Sequence, residues 1–409
     1  GAEGRCVGVA ELPAAFRGAF GGRFRYFNAL QSACFAGAFG GAGSLVVAAP
    51  TGSGKTVVME LAILGLHRAG LAPGGGALAP PGGRRKAVYI APMKALVQEK
   101  ADEWARCLGP GGLGLTLATL TSDTDLEGQA RLPQADIILT TPEKFDSATR
   151  RGAGRGSMAF FADIGLVIID EVHILNDERG KSLEAVVARL RLVEAHFRQQ
   201  RARPGASSSG TEPPIARLRF VAASATIPNA HDVAAWLSVD AAEGGLRVFG
   251  EELRPVRLET AVLGFPSPRN PWFFEKDLNR HLLDVVQQYG GFRPTIVFCA
   301  SRKGAQEAAQ AVVDGAVRRF GPEGLAQAPN QAARLREAAQ SVHDKRLAKA
   351  LAQGCCWHHA ALDARDRGLV ESLFRAGALP VLCSTSTLAF GVNLPAYLVV
   401  IRGDRKSVV

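Results

Sequence analysis

The residues with the clearest chemical potential form a loop, Ala49–Thr56, with the sequence APTGSGKT. The apolar run Leu45–Ala48 precedes this loop, and the helix-compatible run Val57–Leu66 follows it. A glycine-rich turn between a strand and a helix can wrap backbone N–H groups around phosphate oxygens. The pattern therefore predicts a nucleotide site in which Lys55 reaches the β- and γ-phosphates and the Thr56 hydroxyl binds Mg²⁺. The other residues expected around the phosphates are Thr51, Gly52, Ser53 and Gly54.

Two acidic residues, Asp170 and Glu171, follow the apolar run Leu166–Ile169 and are followed in turn by His173. In an open parallel sheet, ligands lie beyond the carboxyl ends of the strands, so Asp170 is predicted to face the loop and complete Mg²⁺ coordination. Glu171 is then placed to orient and deprotonate an attacking water, and His173 to relay that state to a second domain. The alternative, solvated acids at an ordinary strand end, is disfavoured by the upstream phosphate loop.

Two hydroxyl residues, Ser224 and Thr226, follow another apolar run, Phe220–Ala223. A Ser-Ala-Thr string says little alone. In this order along the chain, its hydroxyls could link the nucleotide site to contacts between domains. We therefore assign Ser224 and Thr226 to interdomain coupling.

The candidate residues need a scaffold that brings strand ends together, and the apolar pattern predicts one. Hydrophobicity in the predicted strands is continuous rather than alternating, which favours parallel sheets covered by helices on both faces. This pattern indicates an α/β fold. The predicted strands are Leu45–Ala48, Ala87–Ile90, Ile137–Leu139, Leu166–Ile169, Phe220–Ala223, Thr295–Phe298, Val381–Cys383 and Leu398–Ile401.

The 409 residues leave room for two or three domains, and the apolar pattern breaks around Ser238–Pro255. We assign a first domain to residues 23–240, a linker to 241–255 and a second domain to 256–403. Residues 1–22 and 404–409 are left outside both domains.

Composition narrows the class of protein. The net charge of +10 suits a polyanionic partner. The chain is also rich in Ala, Gly and Arg, as GC-rich coding produces, and such coding by itself raises the number of arginines and therefore the charge. The seven cysteines include no C-x-x-C pair, which favours a reduced intracellular protein. No run of about 18 apolar residues is present, so no membrane contact is expected.

Further short motifs extend the pattern, and their order along the chain resembles that of superfamily 2 helicases of the Ski-like branch. Alanine at position 49, where the general phosphate loop has glycine, is common in helicases. The resemblance runs from about Arg23 to Ile401. Besides the phosphate loop, D-E-V-H (170–173) and S-A-T (224–226), the matching segments are Phe27–Ser32, Ala91–Leu96, Thr121–Asp123, Thr140–Lys144, Val297–Arg302, Trp357–Ala360 and Ser384–Ala396.

The resemblance implies two tandem RecA-like domains that use ATP and Mg²⁺. It implies that Gln31 hydrogen-bonds the adenine base and that Gly391 lies at the nucleotide. It also implies a set of residues that hold the phosphate backbone of one nucleic-acid strand, a role to which Lys94 and Thr141 are chemically suited. Those residues are Pro92, Lys94, Thr121, Thr141, Pro142, Ser301, Arg302 and Thr387.

The segments between the motifs resemble a subgroup, the meiotic crossover helicases of the Mer-three type. The matching segments include Glu143–Ser147, Arg219–Leu237 and Val262–Pro266. This resemblance implies a nuclear, ATP-driven 3′–5′ DNA helicase that acts on single-stranded or branched DNA together with other recombination proteins. Two alternatives stay open: an RNA helicase of the same branch, acting in RNA decay or splicing, and a nucleotide-binding module without efficient turnover.

The carboxyl end departs from the family pattern. The family places an arginine-bearing motif VI after Ser384–Ala396, and such arginines contribute roughly 10³–10⁵ in rate. From the sequence we expect the second domain to be incomplete at this end and the turnover of the chain to be impaired. Residues 404–409 resemble a translated sequencing adapter, and we expect them to be non-native.

Overall fold

The computed structural model describes residues 6–71, 85–151, 161–177, 179–202, 214–254, 256–266, 271–326, 328–385, 388 and 394–403. The chain divides into two compact units, residues 1–259 and 260–409. Among the described residues, no helix has the length and apolar character needed to cross a bilayer.

The first unit is built on a seven-stranded sheet in the order β3-β4-β2-β5-β6-β1-β7, with every neighbouring pair parallel. Every residue of β1, β2, β4, β5 and β6 is buried, which explains their continuous apolar sequences. The strands are β1 Leu45–Ala48, β2 Lys86–Ile90, β3 Leu117–Leu120, β4 Ile137–Thr140, β5 Ile164–Ile169, β6 Arg219–Ser224 and β7 Leu246–Val248.

Helices cover both faces of this sheet. One core cluster joins alternate strand residues such as Val47 to the helices Lys55–His67 and Lys94–Cys107, and the other joins Val46 to the helix Gly180–Ala202. Successive strand side chains point to opposite faces, so adjacent valines enter different cores. The helices of this unit are α1 Ala14–Arg17, α2 Ala29–Phe35, α3 Lys55–His67, α4 Lys94–Cys107, α5 Leu126–Arg131, α6 Pro142–Arg151, α7 Gly180–Ala202 and α8 Ala230–Trp236.

The amino-terminal segment, which the sequence assigned to neither domain, packs on the same face as α3. Leu12, Phe16 and Phe20 are buried in that core. The Phe20 ring lies edge-on to Phe27 with 5.3 Å between centroids. Burial of these large side chains ties the segment to the first unit.

The second unit has a four-stranded parallel sheet in the order β11-β8-β10-β9. Its core is one cluster formed between strands and helices. The strands are β8 Thr295–Phe298, β9 Cys355–His358, β10 Val381–Ser384 and β11 Leu398–Ile401. The helices are α9 Pro271–Leu278, α10 Leu282–Val285, α11 Arg302–Phe320, α12 Pro329–Gln340, α13 Lys345–Ala352 and α14 Ala364–Arg375.

The predicted α/β class is confirmed, and all eight predicted strands form. Three edge strands were not predicted. β3 is only alternately buried, β7 has three residues, and β9 has the sequence CCWH, which contains no β-branched residue. β7 lies within the range assigned to a linker, where it pairs with β1. The predicted domain limits otherwise stay a prediction.

Candidate active site

The carboxyl ends of five strands of the first sheet meet at one edge. Ala48 is in register with Ser224, and Ile90 with both Ile169 and Thr140. The chain leaves each strand at this edge, so the phosphate loop, Asp170 and the residues after Ile90, Thr140 and Ser224 are brought together. Strand order thus assembles segments that are far apart in the sequence.

The phosphate loop has the backbone shape that an anion needs. Gly52 and Gly54 have φ values of +82° and +95°, and a Cβ on Gly54 would lie 2.4 Å from Gln31 Nε2. Among the described residues, no side chain caps α3 where it begins at Lys55. The N–H groups at the start of α3 and the helix dipole favour a phosphate group, so the loop fits a nucleotide.

The Lys55 ammonium lies inside the loop. Its Nζ donates to the carbonyl oxygens of Ala49, at 2.7 Å, and Pro50, at 3.1 Å. Burial lowers the pKa of Lys55 below its ordinary value, while the nearby carboxylates of Glu171 and Asp170 oppose that shift. The ammonium is thus close to both acids and suited to an anionic ligand.

Asp170 is held by two hydrogen bonds. Its Oδ2 accepts from the Tyr89 hydroxyl at 2.7 Å, and its Oδ1 accepts from the Glu171 backbone N–H at 3.0 Å. Burial raises the pKa of Tyr89 well above its ordinary value, and Asp170 adds to the shift, so the phenol stays a donor. Sequence reasoning missed Tyr89; the available signal was a tyrosine inside an otherwise apolar strand, where a buried hydroxyl needs a partner.

Glu171 has a strained backbone and a perturbed carboxyl group. Its φ is +52°, in the left-handed region that non-glycine residues rarely adopt. Burial raises the pKa of Glu171, as does the Asp170 charge, against the opposing influence of His173 and Lys55. A carboxyl group with a raised pKa near a phosphate site suits a general base.

His173 joins the acidic pair to the next strand. Its Nδ1 lies 3.3 Å from Glu171 Oε2 and 3.3 Å from Ser224 Oγ. Ser224 is buried, whereas Thr226 is exposed. The structure therefore brings His173 and Ser224 together and leaves Thr226 on the surface.

A polar network surrounds Thr56, the second predicted Mg²⁺ ligand. Thr56 Oγ1 accepts from Lys100 Nζ at 3.3 Å, and Lys100 pairs with Glu103 at 2.7 Å. Arg23 lies 3.8 Å from Glu103 and 2.9 Å from Glu60, which is one turn after Thr56 in α3. With the hydroxyl and carboxylate oxygens of Thr56 and Asp170, the donor set is the oxygen chemistry that Mg²⁺ prefers.

Glu60 allows a test of this network by pH. Burial outweighs the attraction of Arg23 and raises the pKa of Glu60 to about 7 from 4.5. At Glu60 the folded chain therefore binds more protons than the unfolded chain between these values, and the contribution of this group to the free energy of unfolding falls as the pH rises through that window. We expect Glu60→Gln to reduce the fall by on the order of 3 kcal/mol in urea unfolding at pH 4.5 and 8. The control Glu184→Gln, at an exposed position, should keep the pH dependence of the unsubstituted chain. If the free energy of unfolding falls equally in both variants, the raised pKa of Glu60 is contradicted.

Gln31 and its neighbour Asn28 contact the phosphate loop. Asn28 Nδ2 donates to the Ser53 carbonyl at 2.9 Å, and Gln31 Nε2 donates to the Gly54 carbonyl at 3.3 Å. Gln31 Oε1 accepts from the Asn28 backbone N–H at 2.9 Å, which closes a capping box on α2. The contact of Gln31 with adenine stays a prediction, and the structure adds a role in supporting the loop.

The predicted nucleic-acid residues of the first unit lie near the same sheet edge. Lys94 begins α4 and forms an exposed ion pair with Asp123 at 2.8 Å. The Pro92 carbonyl accepts from Arg179 at 3.4 Å, and Thr121 Oγ1 accepts from the Asp123 backbone N–H at 3.3 Å.

Thr141 and Pro142 are buried where α6 begins. An ion pair of 2.8 Å joins Asp146 of α6 to Arg189 of α7. This ion pair between buried Asp146 and half-buried Arg189 therefore helps to fix the position of α6 after β4.

In the second unit, Ser301 and Arg302 follow β8. Ser301 Oγ accepts from the Gly304 backbone N–H at 3.0 Å and caps α11, while Arg302 is exposed at its first turn. Thr387 and Gly391 lie outside the described residues.

Comparison with known proteins identifies the family. The DEAD/DEAH box helicase profile matches residues 28–233, the range that contains the loop, both acids and Ser224. The chain belongs to the DEAD/DEAH box helicase family. Its two sheets are accordingly RecA-like, as the resemblance predicted.

Curated relatives and solved structures agree with this assignment. The chain is 44% identical over 407 residues to the ATP-dependent DNA helicase MER3 homolog of Oryza sativa subsp. japonica, covering 97% of this chain and 32% of the relative. It is 43% identical over 397 residues to the ATP-dependent DNA helicase homolog MER3 of Arabidopsis thaliana, covering 97% and 34%. The chain thus spans about a third of these relatives, and the predicted resemblance to helicases of the Mer-three type is confirmed.

A solved structure of the DUF1998 helicase MrfA bound to DNA and AMPPNP is similar with a TM-score of 0.63. The identity is 17%, and the similarity covers 96% of this chain and 46% of that chain. Similarity at this identity supports the helicase fold.

Proposed function

We propose that this chain forms the core of an ATP-dependent DNA helicase that couples Mg-ATP hydrolysis to 3′–5′ translocation on DNA and to its unwinding. The observation that carries the proposal is one sheet edge where the phosphate loop, Asp170 and Glu171 lie beside Lys94 and Thr141. A motor needs its nucleotide site and its strand-binding elements on one rigid scaffold. Membership of the helicase family and the printed names of the MER3 relatives support the same proposal.

In the proposed reaction, Lys55 and the loop N–H groups bind the β- and γ-phosphates. Mg²⁺, held by Thr56 and Asp170, would neutralise charge on those phosphates. Glu171 orients a water and accepts its proton as the water oxygen bonds to the γ-phosphorus. The bond to the β–γ bridging oxygen breaks, and ADP leaves with the electron pair. His173, Ser224 and Thr226 would link this step to movement of the second unit.

The nucleic-acid and base contacts complete the proposal. Gln31 reads the adenine, and Gly391 lies at the nucleotide. The phosphate backbone of one strand is held through backbone N–H groups and polar side chains, which carry no base information. The residues proposed for this role are Pro92, Lys94, Thr121, Thr141, Pro142, Ser301, Arg302 and Thr387.

The biological setting follows from the similarity to helicases of the Mer-three type. We place the protein in the nucleus, in meiotic recombination and crossover formation. Its substrates would be single-stranded or branched DNA, and its partners other recombination proteins.

The experiment that tests this function compares DNA and RNA. ATP hydrolysis by the full-length gene product is measured with single-stranded DNA and with RNA of the same sequence. We expect DNA to stimulate more strongly by about tenfold, equivalent to 1.4 kcal/mol of differential stabilisation, and duplexes with a 3′ tail to be unwound in preference to those with a 5′ tail. Equal stimulation by RNA would instead favour an RNA helicase of the same branch.

A further inference from the structure

Asp170, the predicted Mg²⁺ ligand, accepts a hydrogen bond from a residue of β2, the strand that leads into the predicted nucleic-acid-binding residues Pro92 and Lys94. The Tyr89 hydroxyl donates to Asp170 Oδ2 at 2.7 Å. Tyr89 lies in β2, and only residues 91–93 separate β2 from α4, which begins at Lys94. One strand–helix element therefore contacts the metal ligand at one point and carries the predicted DNA contacts a few residues away.

Tyr89 is fixed in the orientation that makes this hydrogen bond. Its side chain has no solvent exposure. Its ring packs edge-on against Trp104 of α4, with 5.1 Å between centroids. Strand β2 also pairs with β5, where Tyr89 is in register with Ile168, two residues before Asp170. The hydroxyl is thus aimed at Asp170 by a rigid aromatic pair and by the sheet itself.

Helix α4 also contacts α3, the helix that follows the phosphate loop. Lys100 of α4 donates to Thr56 of α3 at 3.3 Å, and Glu103 of α4 lies 3.8 Å from Arg23, which pairs with Glu60 of α3. A displacement of α4 on binding a nucleic-acid strand would therefore move side chains at the metal site. Coupling of this kind needs a contiguous packed path, which Trp104 and Tyr89 provide.

We propose that Tyr89 is a positioning residue that holds Asp170 for Mg²⁺ and couples the metal site to nucleic acid bound at Lys94. The inference rests on the proposed function. Each carboxylate oxygen has two lone pairs, so Asp170 can accept from Tyr89 and still coordinate a metal ion or a water bound to it. Hydrogen-bond partners of metal ligands orient those ligands, and their loss typically weakens metal affinity.

The test uses Tyr89→Phe, which removes the hydroxyl and keeps the ring on Trp104. Binding of a fluorescent, non-hydrolysable ATP analogue to the 409-residue chain is titrated with Mg²⁺, with and without an oligo-dT strand. We expect the Mg²⁺ concentration for half-maximal tightening to rise about tenfold, with binding in EDTA unchanged. Because coupling is reciprocal, the oligonucleotide should lower the Mg²⁺ requirement of the unsubstituted chain, and this effect should shrink in Tyr89→Phe.

The matched control is Tyr397→Phe, whose hydroxyl belongs to an exposed tyrosine of the second unit. It should keep the Mg²⁺ dependence of the unsubstituted chain. In an Asp170→Asn background, Tyr89→Phe should add no further shift, as expected for a residue that acts through Asp170. A shift of equal size in that background would overturn the proposal.

Other outcomes separate the inference from the proposed function. If the unsubstituted chain responds to Mg²⁺ and Tyr89→Phe behaves identically, the inference alone fails. If Tyr89→Phe loses binding in EDTA and has a lower unfolding temperature, its role is structural and the inference also fails. If the unsubstituted chain shows no Mg²⁺-dependent nucleotide binding, the proposed function fails and the inference with it. An unchanged oligonucleotide effect in Tyr89→Phe would overturn the coupling.

Discussion

Replacing Glu171 by glutamine is expected to lower ATP turnover by about 10²–10⁴-fold, the usual contribution of a general base. The amide keeps the size and polarity of the side chain but cannot accept the proton of the attacking water. Nucleotide affinity should change little, because Lys55 and the loop N–H groups are unaltered. The measurement is DNA-stimulated ATP hydrolysis by the full-length gene product, with nucleotide binding measured in parallel.

The control for this prediction is Glu184→Gln, which changes the same chemical group at an exposed position of α7. It should leave turnover unchanged. Loss of binding together with turnover in Glu171→Gln would point to a disturbed loop around the strained residue rather than to a missing base. Full turnover in Glu171→Gln would remove Glu171 from the proposed mechanism.

Replacing Lys55 by alanine is expected to abolish measurable DNA-stimulated ATP hydrolysis and to weaken nucleotide binding as well. The ammonium lies within the loop, and its removal leaves the phosphate charge without its closest cation. Loss of one preorganised charge contact at a reacting centre costs about 10²–10³-fold in rate by itself, and here lost binding adds to it. Hydrolysis and equilibrium binding of a fluorescent nucleotide check the two parts separately.

Lys349→Ala is a suitable control, since Lys349 is exposed on α13 in the second unit. Both variants lower the net charge equally, so a general electrostatic effect on DNA binding would affect them alike. Unchanged turnover in Lys55→Ala would refute the assignment of Ala49–Thr56 as the catalytic phosphate loop. Nucleotide binding distinguishes the two variants, because only Lys55→Ala should weaken it.

Local sequence patterns predicted the class of fold, which the structure confirms, and they supplied the proposed residues of the nucleotide site. Buried parallel strands need continuous apolar runs, and a phosphate loop needs glycines at fixed spacing, so both leave a signal within a few residues. The edge strands β3 and β7 were not predicted because a partly exposed strand and a three-residue strand need no such run. The buried strand β9 was not predicted because its sequence, CCWH, contains no β-branched residue. The amino-terminal segment was not assigned to a domain because its helices are short, α1 having four residues, and short helices give a weak signal in the sequence.

The phosphate-loop motif alone predicted Lys55, Thr56 and a bound nucleotide, since these depend on one strand–turn–helix segment. Only the tertiary structure decided what holds the acids beside them. Tyr89 and Asp170 are 81 residues apart in the chain, and they meet because β2 is the neighbour of β5. Strand order, register and the direction of a buried hydroxyl result from packing the whole sheet, and no short pattern encodes them. The same holds for Arg23, Glu60 and Glu103, whose charges meet only after α3 and α4 have packed.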